Sequence, residues 1–176
     1  MNTFKNHRYS IEYIKDRFKD KELTGIEIGV HAGNNSLWIL NTLNIKKMYL
    51  IDPWHGYHNL PLERTQAIYE EAMNKLKPHK NKLQVIQMKS NDACDKIEDL
   101  SVDFCYIDGD HTSRGVHNDI KNYYPKVKVG GILAGHDYNK IAVKSIVDRF
   151  AIRKDVKINH KINKENRDIS DWWFVK

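Results

Sequence analysis

The sequence predicts a doubly wound α/β domain: a mostly parallel seven-stranded sheet, closed by a C-terminal antiparallel hairpin. Two observations predict it. Short apolar, β-rich runs alternate with helical stretches through five successive steps, the pattern of a parallel sheet covered by helices. The last step is followed by two further short β-rich segments near the C-terminus. No repeat or linker divides the 176 residues, so the chain reads as one domain. Its parts are an N-terminal helical segment over 1–22, a core over 23–152 and a closing hairpin over 153–176.

The elements follow in order. Tyr9–Lys19 is an amphipathic helix with Ile11, Ile14 and Phe18 on one face. Gly25–Val30 is the first strand, followed by a helix from Asn34 to Leu43. Met48–Ile51 is the second strand, which ends at Asp52-Pro53 because proline cannot continue the pairing. Leu62–Leu76 is helical up to the restriction imposed by Pro78. Leu83–Met88 is a strand, Asp92–Ile97 a short helix, and Val102–Ile107 a buried strand. Gly115–Tyr124 is helical up to Pro125. Gly130-Gly131 is read as a turn into a strand at Ile132–Ala134, and Ile141–Phe150 as a helix. Val156–His160 and Trp172–Val175 are the expected hairpin strands.

Composition narrows the class of protein. Hydrophobic residues make up 40% and aromatics 10%, enough for a packed core, which argues against intrinsic disorder. Gly 9 and Pro 4 exclude collagen-like and low-complexity classes. No apolar run reaches the length of a membrane span, and the first ten residues lack the apolar region of a signal peptide. Cys94 and Cys105 have no CxxC spacing and read as thiols of a reducing compartment, so the expected location is cytoplasmic. The net charge of +6 admits a polyanionic partner. The basic residues are spread over Lys46–Lys47, Lys75–Lys82, Lys121–Lys128 and Arg153–Lys164, however, with acids in between, as on a solvated surface.

In doubly wound sheets a ligand sits outside the C-terminal strand ends, so the residues after each strand carry the functional argument. After the first strand, Gly29 and Gly33 bracket a turn leading into a helix, and glycines there let a ligand approach the backbone. The spacing is not the G-x-G-x-x-G of dinucleotide binders, and no GKS or GKT is present. Asp52 after the second strand suits a pair of ribose hydroxyls or, alternatively, a turn before Pro53. Ser90-Asn91 after the third can cap a helix or contact an adenine edge. Asp108-Gly109-Asp110-His111 after the fourth is the most informative segment. Carboxylates this close destabilise each other's charge unless a cation lies between them or one acts as a base, and oxygen ligands of this kind suit Mg²⁺, Mn²⁺ or Ca²⁺. Gly135-His136-Asp137-Tyr138 follows the neighbouring fifth strand, so Asp108, His136 and Asp137 can converge on one ion.

Taken together these segments resemble the class I S-adenosylmethionine-dependent methyltransferases. The nearest likeness is to the small-molecule O-methyltransferase branch that acts on macrolide and aminocoumarin sugars. The run DFCYIDGDHTSRGVHNDIKNYYPKVKVGGILAGHDY (103–138) carries most of the likeness, with GIEIGVHAGNNS and YLIDPW matching the cofactor segments. The resemblance implies a Rossmann-like methyltransferase fold and S-adenosylmethionine as cofactor. The loop of Glu27, Gly29, His31, Gly33 and Asn34 would hold its methionine part, Asp52 its ribose, and Ser90 and Asn91 its adenine. Asp108 would border the cofactor and ligate a divalent cation with His136 and Asp137. Asp110 or His111 would take the proton from a substrate hydroxyl. Related metal-dependent enzymes place acidic or amide ligands where His136 stands, so an imidazole there suits ligation, a supporting role or a base.

The expected partner is a small hydroxylated acceptor, and nucleic acid and membrane are disfavoured. Fold-level analogy also allows a homodimer. The competing readings are an RNA methyltransferase, which lacks an N/D-P-P-Y/F motif here, a nicotinamide oxidoreductase, which lacks its glycine fingerprint, and a non-catalytic cofactor-binding scaffold. His55 and His58 follow Asp52-Pro53-Trp54 and would line the mouth of the site or be solvated.

Overall fold

The computed structural model describes residues 8–55, 60–163 and 170–176; His58 lies outside them. Seven strands form one sheet: β1 (Leu23–Ile28), β2 (Ile45–Ile51), β3 (Leu83–Ile86), β4 (Val102–Ile107), β5 (Val127–Gly135), β6 (Asn159–Ile162) and β7 (Ser170–Val175). The helices are α1 (Tyr9–Phe18), α2 (Asn34–Thr42), α3 (Leu62–Leu76), the single-turn α4 (Ser90–Ala93), α5 (Ser113–Tyr123) and α6 (Ile141–Lys154). Strand order is β3-β2-β1-β4-β5-β7-β6. The first five strands are parallel, and β7 runs antiparallel to both β5 and β6. The order reverses between β1 and β4, and that reversal opens the crevice in which such sheets bind ligands.

Helices cover both faces of the sheet, and strand alternation feeds two cores. One face gathers Ile26, Ile28, Cys105, Ile107 and Leu133 with Val116, Ile120 and Tyr123 of α5 and Val143 and Val147 of α6. The other gathers Met48, Leu50, Phe104, Tyr106 and Ile132 with Ile39 and Leu40 of α2 and Ile11 and Ile14 of α1. Trp172 enters the first core and Trp173 the second, as neighbours on a strand must. The expected apolar face of the first helix is confirmed at Ile11 and Ile14, while Phe18 is partly buried.

The differences from expectation concern the start of β5, the bounds of β6 and the cap of α4. Gly130-Gly131 is not a turn before the fifth strand. β5 begins at Val127 and the glycines sit inside it, at a register shift between Val102↔Val127 and Phe104↔Ile132. A double glycine reads as a turn in sequence, but here its freedom lets the strand bulge while pairing continues on both sides. The penultimate strand is Asn159–Ile162, not Val156–His160, because it pairs in register with Trp173–Ser170. Neither Ser90 nor Asn91 caps the short helix, whose N-cap is Lys89 without a side-chain bond. Among the described residues no helix is long and apolar enough to cross a membrane.

Candidate functional site

The C-terminal ends of β1, β2 and β4, with α4 and the start of α5, enclose a cleft of about 1260 Å³. Of the residues expected to hold the cofactor, Gly29, His31, Asn34, Asp52, Ser90, Asn91 and Asp108 line it.

The loop after β1 takes its shape from Gly29 and Gly33. Gly29 has φ 85°, and a Cβ on it would lie 2.1 Å from the Asp108 carbonyl oxygen. Gly33, with φ 75°, occupies the N-cap of α2 against Ala72 and Leu76. Both need the left-handed conformation that glycine alone adopts without cost. Lys75 of α3 straps this loop, donating to the Ala32 carbonyl at 2.7 Å and Asn34 Oδ1 at 2.6 Å. The Asn34 side chain is thereby tied to protein.

Glu27 is fully buried. Its carboxyl accepts hydrogen bonds from Asn35 Nδ2 at 2.9 Å and from Ser36 Oγ. Burial pushes its pKa up to about 8 against the opposing effect of those two bonds. Glu27 therefore fastens the first turn of α2 from beneath.

Asp52 is also buried, but at the cleft wall. Its Oδ2 accepts from the His31 amide at 2.9 Å and its Oδ1 from the Trp54 amide at 2.7 Å. Trp54 Nε1 in turn donates to the His31 carbonyl at 2.9 Å, and the indole packs edge-on against Tyr69. Asp52 is thus both turn residue and wall, with backbone amides fixing its direction.

On the opposite wall Asn91 Oδ1 accepts from Asn122 Nδ2 at 3.0 Å, and the Ser90 carbonyl accepts from the Tyr123 hydroxyl at 2.7 Å. Between them stands Asp119 of α5, which sequence reasoning missed. It is buried and hydrogen-bonded to Ser90, and burial pushes its carboxyl up to about 6. A signal existed: Asp119 occupies the apolar stripe of α5 with Val116, Ile120 and Tyr123. Arg8, ahead of α1, also lines the cleft and had no sequence signal.

The acidic segment divides into two parts. Asp110 turns toward its own chain, accepting from the Thr112 amide at 2.9 Å and Thr112 Oγ1 at 3.0 Å, while Thr112 caps α5 by accepting from the Gly115 amide at 3.1 Å. His111 instead spans two strand ends. Its Nε2 is 3.3 Å from Asp108 Oδ1 and its Nδ1 3.0 Å from Asp137 Oδ2. Hydrogen bonds to Asp108 and then Asp137 raise its pKa to about 9 against burial. Lys140 Nζ approaches the same pair, 2.6 Å from Asp137 Oδ2 and 3.0 Å from His111 Nδ1. Asp137, in the left-handed region at φ 61°, is held well below the ordinary carboxylate range: burial opposes its charge, but hydrogen bonds from His111, His136 and Lys140 prevail.

His136 Nδ1 faces the same carboxylates, 3.2 Å from Asp137 Oδ1 and 3.7 Å from Asp108 Oδ1, while its Nε2 is buried without a hydrogen-bond partner. The donor atoms of Asp108, His111 and Asp137 all lie within 4.8 Å of one another. Two converging carboxylates with one or two imidazoles are a donor set that suits a divalent cation. His136 lies beside this group, so four of the residues singled out in sequence come together, and Asp110 does not join them. The side chains grade in exposure from Asp137 (7%) and His136 (11%) through Asp108 (19%) to His111 (40%).

Comparison with known proteins gives the family. A model described as a methyltransferase domain matches residues 26–138, more than half of the chain. The uncharacterized protein R132 of Acanthamoeba polyphaga mimivirus is 30% identical over 140 residues, which cover 77% of this chain and 61% of that protein. The chain therefore spans less than two thirds of that relative's length. Among solved structures, the rRNA methylase from Streptococcus thermophilus superposes with a TM-score of 0.68 at 16% identity, covering 95% of this chain and 93% of that one. The O-methyltransferase TomG from Streptomyces achromogenes, solved in complex with SAM, gives a TM-score of 0.68 at 13% identity, covering 94% and 77%. At these identities the likeness is one of fold.

Proposed function

The chain belongs to the methyltransferase-domain family, and on that premise we propose that it methylates a hydroxyl group of a small molecule, using S-adenosylmethionine and a divalent cation. The observation that carries the reading is the convergence of Asp108, His111 and Asp137 beside the cleft wall that holds Gly29 and Asp52. The methyl donor supplies an electrophilic carbon on a sulfonium, and the cation lowers the pKa of a hydroxyl brought to it.

Each residue has a derived task. Gly29 admits the donor close to the backbone, and Asp52, a carboxylate at the cleft wall held by the His31 and Trp54 amides, accepts from the ribose hydroxyls. Ser90, Asn91 and Asp119 form the wall for the base. Glu27 acts one layer down, by holding α2 in place. Asp108, Asp137 and His136 would hold the cation, since they are the most buried members of the cluster and their charges are already matched there. His111 is the base. It is the most exposed of the four, so an acceptor can reach it. With its pKa raised to about 9 by Asp108 and Asp137 it holds a proton at pH 7, and it would act as base in the neutral form that a cation drawing on those two carboxylates would favour. Asp110 serves the turn that presents His111.

Calorimetric titration of S-adenosylmethionine and S-adenosylhomocysteine, with Mg²⁺ and then with EDTA, tests the reading. Micromolar binding supports it, and turnover of a vicinal diol that EDTA abolishes supports the cation. Asp108→Ala should remove cation-dependent turnover. Undiminished activity of that variant in EDTA would remove the metal from the proposal, and no binding of either compound would favour a scaffold. A second reading, with RNA as acceptor, draws on the exposed Lys77, Lys80 and Lys82 beside β3. A salt-sensitive gel shift would favour it.

A further inference from the structure

Arg8 stands where the proposed methyl donor has a charge that no residue assigned so far answers. S-adenosylmethionine carries, besides adenine, ribose and sulfonium, the carboxylate and ammonium of an amino acid. The cleft wall offers Asp52, Asp108, Asp110 and Asp119, all acceptors when ionised, and none of them can bind a carboxylate in that form. Besides His31, His55 and His111, three basic side chains line the same cleft: Arg8, Lys89 and Arg114. Lys89 precedes α4 and Arg114 lies in the first turn of α5, so both belong to the wall with Ser90 and Asn91. Arg8 comes from the other side, just ahead of α1.

Its setting is that of a held cation. The guanidinium lies near the side chain of Tyr106, a fully buried residue of β4, and in the field of Asp108 and Asp171. Among the described residues no carboxylate forms a salt bridge with it, and its Nε is buried without a partner. The segment that carries it is anchored. Asp171 Oδ2 accepts from the Ser10 amide at 2.9 Å and Ser10 Oγ at 2.7 Å, which fixes the first turn of α1 two residues beyond Arg8. A guanidinium fixed at the cleft wall, near but not paired with carboxylates, is a site for an arriving carboxylate, with the planar fork suited to two-point contact.

We propose that Arg8 binds the methionine carboxylate of S-adenosylmethionine and so discriminates the intact donor from analogues that lack this group. The inference rests on the methyl-donor reading above. Arg8 is thereby a binding residue, and the start of α1 becomes part of the cofactor site rather than only a cover for the sheet.

The test compares S-adenosylmethionine with its decarboxylated analogue, which keeps adenosine, sulfonium and ammonium. Both are titrated into the wild-type protein, Arg8→Ala and Arg8→Lys. The wild type should prefer the intact donor by roughly 10- to 100-fold, as expected for hydrogen bonds to a charged group. Arg8→Ala should weaken the intact donor by that factor and leave the decarboxylated one unchanged, and Arg8→Lys should fall between. Equal weakening of both ligands, or of neither, overturns the assignment. Retained binding of the analogue to Arg8→Ala also shows that the variant folds. If the wild type binds neither compound, the methyl-donor reading itself fails, and the inference with it.

Discussion

Gly29 and Asp108 meet at the point where the strand order reverses: a side chain on Gly29 would begin 2.1 Å from the Asp108 carbonyl oxygen. The amide of Asp108 also donates to the Ile28 carbonyl at 2.8 Å, so the ends of β1 and β4 are laced together beneath the cleft. The glycine loop and the acidic segment are therefore one structural unit. Whatever moves the first displaces Asp108, and with it His111.

Gly29→Ala should be severely destabilising. The new methyl group meets backbone atoms, which cannot rotate away, and φ 85° is itself unfavourable for an L-residue. A loss of about 3 kcal/mol or more is expected in urea denaturation, with donor binding lost alongside. Gly33→Ala meets its nearest atoms only at 3.3 Å and should cost about 1–2 kcal/mol. Equal stabilities for the two variants would show that the crossing tolerates displacement.

Glu27 should make the fold less stable as pH rises. The unfolded chain releases this proton near 4.5 and the folded chain near 8, so between those values the folded state holds more protons. Stability then declines with rising pH by up to about 1.4 kcal/mol per unit. Asp119, raised to about 6, adds the same sign below pH 6, so the diagnostic is the difference between variant and wild type. Glu27→Gln keeps the shape of the protonated carboxyl and should flatten that part of the profile between pH 5 and 8. Parallel profiles in thermal melts would mean that Glu27 stays ionised in the fold.

The strand ends were legible in the sequence because strand, turn and helix signals agree there. Asp52 and Asp108 follow apolar strands directly and line the cleft, and Asp137 follows β5 one residue later, beside Asp108. What was not legible depends on side-chain direction or on contacts distant in sequence. Asp110 and His111 are neighbours with equal chemical claims, and only the turn closed by Thr112 separates them. Arg8 reaches the cleft because Ser10 pairs with Asp171, 161 residues away. Gly130-Gly131 misled for a different reason: a strand bulge and a turn ask the same freedom of glycine, and only pairing with β4 and β7 distinguishes them.

Asp171 holds α1 to the sheet, and its removal should be expensive. Asp171→Ala would leave the Ser10 amide and hydroxyl as buried donors without an acceptor. Unsatisfied groups of this kind cost about 1–3 kcal/mol each, so a total loss of about 2–6 kcal/mol is expected in urea denaturation. Asp171→Asn retains one acceptor oxygen and should lose less. If both variants match the wild type, α1 is held by Ile11 and Ile14 alone.

The neighbours Asp110 and His111 should separate kinetically. His111 lies between Asp108 and Asp137 at 3.3 and 3.0 Å, whereas both oxygens of Asp110 are occupied by Thr112. His111→Gln keeps a polar side chain of similar reach but cannot carry the proton at neutral pH. Loss of a general base lowers kcat by about 10²- to 10⁴-fold, and donor affinity measured by calorimetry should stay near wild type. Asp110→Asn should instead lower stability by about 1 kcal/mol through the weakened turn ahead of α5, with kcat within a few-fold of wild type. The reverse pattern, with kcat collapsing in Asp110→Asn and surviving in His111→Gln, would transfer the role of base to Asp110. It would also require the turn at Thr112 to open when the acceptor binds.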